Sequence, residues 1–104
     1  MIGEKIKELR KSCSINQVEL AHNLGVTKQC VSNWENDNIL PSIEMLVKLS
    51  IYFNVSTDYL LGLSSKISLN VEGLSDQEIA HIKLLIADLK RYKPSTINLS
   101  SNKN

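Results

Sequence analysis

An all-α chain is what this sequence predicts: five short helices over residues 1–63, a linker over 64–73, an amphipathic helix over 74–93 and a tail over 94–104. Three observations carry that prediction. Apolar residues recur at helical spacing from Ile2 to Phe53. Capping residues open the segments, and Gly, Asn or Pro close them. Alternation of the kind strands need is confined to Ile67, Leu69 and Val71.

Residues 2–12 form the first helix. Ile2, Ile6 and Leu9 share one face, with Glu4, Lys5, Lys7, Glu8, Arg10 and Lys11 elsewhere. Asn16 caps the second helix, and Glu19, three residues on, completes a capping box. That helix carries apolar Val18, Leu20, Ala21 and Leu24. Gly25 supplies the conformation of a tight turn. Thr27 caps the third helix, which buries Val31 and Trp34 with Val26 just ahead of it. Asn36-Asp37-Asn38 ends it, because Asn and Asp tolerate the left-handed backbone of a helix exit. Pro41-Ser42 opens a fourth helix to about residue 53, with Leu46, Leu49 and Phe53 inward. Val55 packs ahead of a fifth at 57–61, capped by Ser56 or Thr57 and closed by Gly62.

Beyond Gly62 the composition turns to Gly, Ser and Asn, a linker with a short extended piece. Ser75 and Glu78 then make a second capping box, and Leu74 is placed to staple Ile79. This sixth helix runs to about Tyr92, ahead of Pro94. The Ser/Asn-rich tail is expected to be disordered.

Bulk properties exclude several classes of function. At 104 residues and 42% hydrophobic, the chain is one small domain with an appendage. No apolar run approaches the ~20 residues of a membrane span, and no leader is evident, so a cytoplasmic protein with no membrane partner is expected. Cys13 and Cys30 show no metal-ligand spacing and suit a reduced compartment. His22 and His81 are isolated and read as surface residues. With no nucleophile–base pair, carboxylate dyad or phosphate-cradling loop, no enzyme, metal or cofactor is expected. Net charge is +1, and residues 1–63 hold six Lys and Arg against seven Asp and Glu. A nucleic-acid contact here must rest on a few placed groups, not on a broad basic field.

Those groups lie on the third helix. With Val31 and Trp34 inward, Lys28, Gln29, Ser32 and Asn33 face out. Gln29 and Asn33 are one turn apart, and a side-chain amide can bond adenine N6 and N7 together. The pattern implies a helix offered to the DNA major groove. Trp34 reads as a partly buried packing residue and not as one that stacks on bases. Cys30, in the first turn, sits where a helix N-terminus can lower a thiol pKa, which leaves redox sensing as an alternative to an inert small residue.

Several runs together resemble the Cro/CI-type helix-turn-helix domain of phage repressors and bacterial regulators, the XRE family. They are Ile6-Lys7-Glu8-Leu9-Arg10, Gln17-Val18-Glu19-Leu20-Ala21, Gly25-Val26, Val31-Ser32-Asn33-Trp34-Glu35, Pro41-Ser42, Leu46 and Val55-Ser56-Thr57-Asp58-Tyr59-Leu60-Leu61. The resemblance covers residues 1–63. It implies the five-helix lambda-repressor-like fold and binding to double-stranded DNA. It places Gln17 on a phosphate and against the recognition helix, and Thr27, Lys28, Gln29, Ser32 and Asn33 on bases or adjacent backbone. Asn36 and Asn38 fall where the family often carries cationic flanking contacts. Arg10 and Glu35 fall where members often have an ion pair. Asp37 departs from the usual Gly, and Asn36 and Asn38 depart from Arg or Lys; fewer cationic contacts point to avidity from a dimer.

The sixth helix supplies a means to dimerise. Ile79, Ile82, Ile86 and Leu89 follow a 3-4-3 spacing, widened by Leu85 and Tyr92. A single amphipathic helix beyond a linker needs a partner. The expected function is a sequence-specific regulator of transcription, a repressor acting as a homodimer. The alternative is an antitoxin-like or scaffold module whose C-terminal segment binds another protein.

Overall fold

Capping side chains and buried apolar faces account for the helix boundaries of the computed structural model, which describes residues 1–91. The helices are α1 (Ile2–Ser12), α2 (Gln17–Leu24), α3 (Lys28–Glu35), α4 (Ile43–Phe53), α5 (Thr57–Leu60) and α6 (Asp76–Arg91). Asn16 Oδ1 accepts from the Glu19 amide at 2.8 Å, and Glu19 Oε1 accepts from the Asn16 amide at 2.9 Å. Thr27, Ser42 and Ser56 each accept one amide of the first turn they precede. These bonds satisfy donors that a helix start otherwise leaves orphaned, at about 1 kcal/mol for a typical cap. Gly25 takes φ 76°, Asp37 φ 58° and Gly62 φ 78°, so the turn and both exits use the left-handed region expected of them.

The chain divides after Asn70 into two units. In the first, α3 packs on α1 and α2, and α5 on α1 and α4. Ile6, Leu20, Val31, Leu49 and Leu60 are wholly buried at the centre. Each contributes about 1.5–3 kcal/mol through burial. Leu9, Met45, Leu46 and Phe53 lie partly buried around them. Val55 is buried ahead of α5, and the Asn70 amide donates to Asn54 Oδ1 at 2.8 Å.

Three details differ from the sequence reading. Val18 is 56% exposed, because it lies some 200° round α2 from Leu20 and so off the face that Leu20, Ala21 and Leu24 bury. Trp34 is fully buried. Among the described residues no strand forms at Ile67–Val71, as an extended piece without a partner strand has nowhere to place its amides.

The second unit begins at Val71 and contains α6. The Ser75 amide donates to Glu78 Oε1 at 2.9 Å, and the Glu78 amide to Ser75 Oγ at 3.1 Å, so the second capping box is present. No residue of α6 is buried. Tyr92 and the tail expected over 94–104 lie outside the described residues.

Candidate nucleic-acid interface

Two short helices joined at Gly25 set the geometry of the candidate site. The Val26 amide donates to Ala21 O at 2.9 Å, and Lys48 Nζ donates to Leu24 O at 3.1 Å. Both satisfy carbonyls that the end of α2 leaves free. With the turn fixed, Val31 and Trp34 point into the core, and the opposite side of α3 faces solvent.

The end of α3 is anchored by a buried network. Arg10 Nε donates to Glu35 Oε2 at 2.6 Å and Nη2 to Oε1 at 3.0 Å, a two-point pairing. Arg10 Nη1 also donates to Ile15 O at 3.0 Å, and Gln17 Nε2 to Glu35 Oε1 at 3.0 Å. Arg10 of α1 and Gln17 of α2 thus converge on one carboxylate of α3, and the loop between them holds the Arg10 guanidinium through Ile15 O. Burial would raise the Glu35 pKa, but hydrogen bonds from Arg10 and Gln17 and the charges of Arg10 and Lys7 outweigh it and hold the carboxyl below its ordinary value. The hydrogen bond to Glu35 pushes the Arg10 pKa up.

On the outer face, Thr27, Lys28, Gln29 and Asn36 are exposed, and Ser32 and Asn33 half-buried. Gln29 Nε2 donates to Asn33 Oδ1 at 3.1 Å. This bond leaves Gln29 Oε1 as an acceptor and the Asn33 amide nitrogen as a donor toward solvent. Asn36 Nδ2 donates to Ser32 Oγ at 3.4 Å, and the Thr27 hydroxyl accepts from the Cys30 amide. Asn38 is exposed, with its backbone amide on Asn33 O. Lys28 is the single cation in this face of α3. Gln17 stands at the first turn of α2 with one amide proton on Glu35 and the other free to donate. Cys30 is half-buried, and Cys13 exposed; both are free thiols.

Two contributors escaped the sequence reading. Asp37 Oδ1 accepts from the Gly3 amide at 3.0 Å, so this carboxylate ties the start of α1 to the exit of α3. Gly3 has no room for a side chain: a Cβ there would lie 2.6 Å from the carbonyl oxygens of Trp34 and Glu35. A glycine inside the first turn of an otherwise good helix was the available signal. Lys48 as a cap on α2 is a long-range pairing with no local signature.

A short helix, a left-handed Gly turn and a second helix with a polar outer face define a helix-turn-helix. Residues 6–60 match the helix-turn-helix family model, and the chain belongs to that family, the XRE group of DNA-binding regulators. It is 43% identical over 61 residues to the HTH-type transcriptional regulator ImmR of Bacillus subtilis, an alignment that spans 59% of this chain and 48% of that protein. The chain therefore spans about half the length of that relative. The P22 c2 repressor in complex with synthetic operator 9T superposes with TM-score 0.56 at 37% identity, over 58% of this chain and 91% of that one. The SinR–SinI complex aligns over 89% of this chain and 100% of that one, at TM-score 0.56 and 28% identity.

Proposed function

We propose that this protein is a sequence-specific repressor of transcription that binds DNA as a homodimer. α3 lies in the major groove, with Gln29 and Asn33 on base edges and Lys28, Thr27, Ser32, Asn36 and Asn38 on adjacent bases and backbone. Gln17 holds a phosphate with its free amide proton while its other proton braces Glu35. α6 joins two protomers through Ile79, Ile82, Leu85, Ile86 and Leu89, so that two recognition helices address half-sites about 34 Å apart. The observation that carries this reading is the locked α3: one face is wholly buried, its end is fixed by Arg10 and Gln17, and its polar face is free.

Gln29→Ala tests it. On DNA selected from a random pool, affinity is expected to fall by about 1–3 kcal/mol, with little loss on random duplex. Equal losses on both would make Gln29 a backbone contact or a packing residue.

A second reading, in which the C-terminal segment binds a different protein, is favoured by the likeness to SinR in its complex with SinI, which extends past the first five helices. A chain that is monomeric and has no DNA affinity would support that module over the repressor. No helix among the described residues is long and apolar enough to cross a membrane, in keeping with a place beside DNA in the cytoplasm.

A further inference from the structure

A side-chain amide pairs with adenine when it turns both its oxygen and an amide proton to the base, one to N6 and one to N7. Gln29 and Asn33, one turn apart on the outer face of α3, both have such an amide. The structure makes them unequal. Gln29 Nε2 donates to Asn33 Oδ1 at 3.1 Å, so Asn33 turns its oxygen to Gln29. The oxygen and nitrogen of an amide lie on opposite branches of one plane. The Asn33 nitrogen is therefore turned away from Gln29, with two protons for another partner. Gln29 keeps Oε1 and one proton. A bond in the opposite direction would exchange these roles.

We infer that Asn33 is a positioning residue for Gln29, and that the direction of their bond divides the reading of the site. Gln29 takes adenine, and Asn33 takes a base at an adjacent position that presents an acceptor. Guanine offers O6 and N7 there and thymine O4, whereas cytosine offers only its N4 donor and is refused. This inference rests on the base-reading role proposed above for Gln29.

Two observations assign the orienting role to Asn33. Its backbone is held by the exit of α3, since Asn33 O accepts from the Asn38 amide at 2.9 Å and the Ile39 amide at 3.3 Å. Its side chain is half-buried, while Gln29 is exposed and has one more rotatable bond. The held residue thus orients the free one. The second observation is charge: Lys28 is the one cation of α3, so selection between bases falls to the direction of hydrogen bonds. In a groove cleared of water, a hydrogen bond between the two side chains strengthens, and an amide turned the wrong way leaves donor against donor. A fixed amide carries that penalty to the wrong base, whereas a free one rotates to escape it.

The test uses the full chain and a duplex selected from a random pool, with each base pair changed in turn. For the parent, replacing the adenine is expected to cost about tenfold or more, and cytosine at the adjacent position a similar factor. Asn33→Asp keeps an acceptor for Gln29 and removes both donors. Its adenine preference is expected to persist within about twofold, while the adjacent preference shifts to cytosine, whose N4 donates to a carboxylate. Asn33→Ala removes acceptor and donors together. Its adenine preference is expected to fall to about threefold or less, and its adjacent preference to vanish. Each readout is a ratio between two duplexes, so a general loss of affinity from the new carboxylate or from partial unfolding cancels. Full adenine preference in Asn33→Ala would overturn the proposal. So would its loss in Asn33→Asp, or a selected duplex in which no position requires adenine. Gln29→Ala separates the two levels. If adenine preference survives in that variant, Gln29 does not read the base, and its base-reading role and the positioning role fall together. If Gln29→Ala removes the preference and Asn33→Ala does not, the base-reading role stands and the positioning role alone is overturned.

Discussion

The first five helices and α6 are built from the same kinds of residue and reach opposite ends. In α1–α5, Ile6, Leu20, Val31, Leu49 and Leu60 lose all contact with solvent. In α6, Ile79 and Ile82 are half-buried, Leu85, Ile86 and Leu89 are exposed, and no residue is buried. The first unit closes a core of its own and pairs its buried charges, down to a carboxylate that meets a guanidinium and an amide, while Ile43 and Ile51 of α4 stay exposed. α6 has a finished N-terminus, with both bonds of its capping box, and an unfinished face. Local order and tertiary closure are separate achievements, and a segment that has only the first is suited to assembly.

The largest way to break the closed unit is at its buried charges. Arg10→Met leaves Glu35, 7% exposed, with Gln17 as its remaining hydrogen-bond donor among these side chains. Removing one partner of such a pair costs about 3–5 kcal/mol. Adding Glu35→Leu is expected to restore part of the loss, because apolar bulk can replace a matched pair. Thermal melts of the two single variants and the double give the coupling, and strictly additive losses would mean that the residues act independently.

Gly3→Ala comes next. The new Cβ would press on two backbone carbonyls at 2.6 Å, and neither can rotate away as a side chain can. The expected cost is about 1–3 kcal/mol, with the first turn of α1 displaced from α3. An unchanged melting temperature would show that this close approach is not needed.

The pH dependence is gentler and has a defined sign. Glu35 has its pKa lowered in the fold, so its contribution is present above the unfolded carboxylate value of about 4.3 and is lost as pH falls through the lower folded value. Melts from pH 7 to pH 3 are expected to show stability declining in that acid range. The Arg10→Met, Glu35→Leu double variant is expected to show a flatter decline, as it has no carboxylate to protonate there.

Where sequence and structure agree, the reason is local. Asn16 with Glu19, Ser75 with Glu78, and the turn at Gly25 each act over three or four residues, so spacing alone reveals them. The Arg10–Glu35 pairing is 25 residues apart and was legible only through resemblance to a family. The Gly3–Asp37 bond spans 34 residues, and the Lys48 cap on Leu24 spans 24. Neither has a signature in spacing, because which loop end meets which helix end follows from the packed core. Val18 shows the same limit at short range. An apolar residue at the first turn of α2 looks like core until the phase of Leu20, Ala21 and Leu24 is set by what they pack against. The outer face of α3 was legible as a polar surface, while the bond between Gln29 and Asn33 belongs to their rotamers.

The central claim is that a self-sufficient DNA-binding unit becomes an effective repressor only when α6 pairs it with a second copy. The most direct measurement is a gel-shift titration of a duplex carrying two selected half-sites, with the full chain and with Ile82→Asp and Ile86→Asp together. Neither position is buried, so the first unit is expected to melt unchanged. The full chain is expected to load two protomers in one step. The variant is expected to bind about a hundredfold more weakly, within the range that loss of linked binding removes. Equal affinity of the two proteins for the paired site would contradict the account.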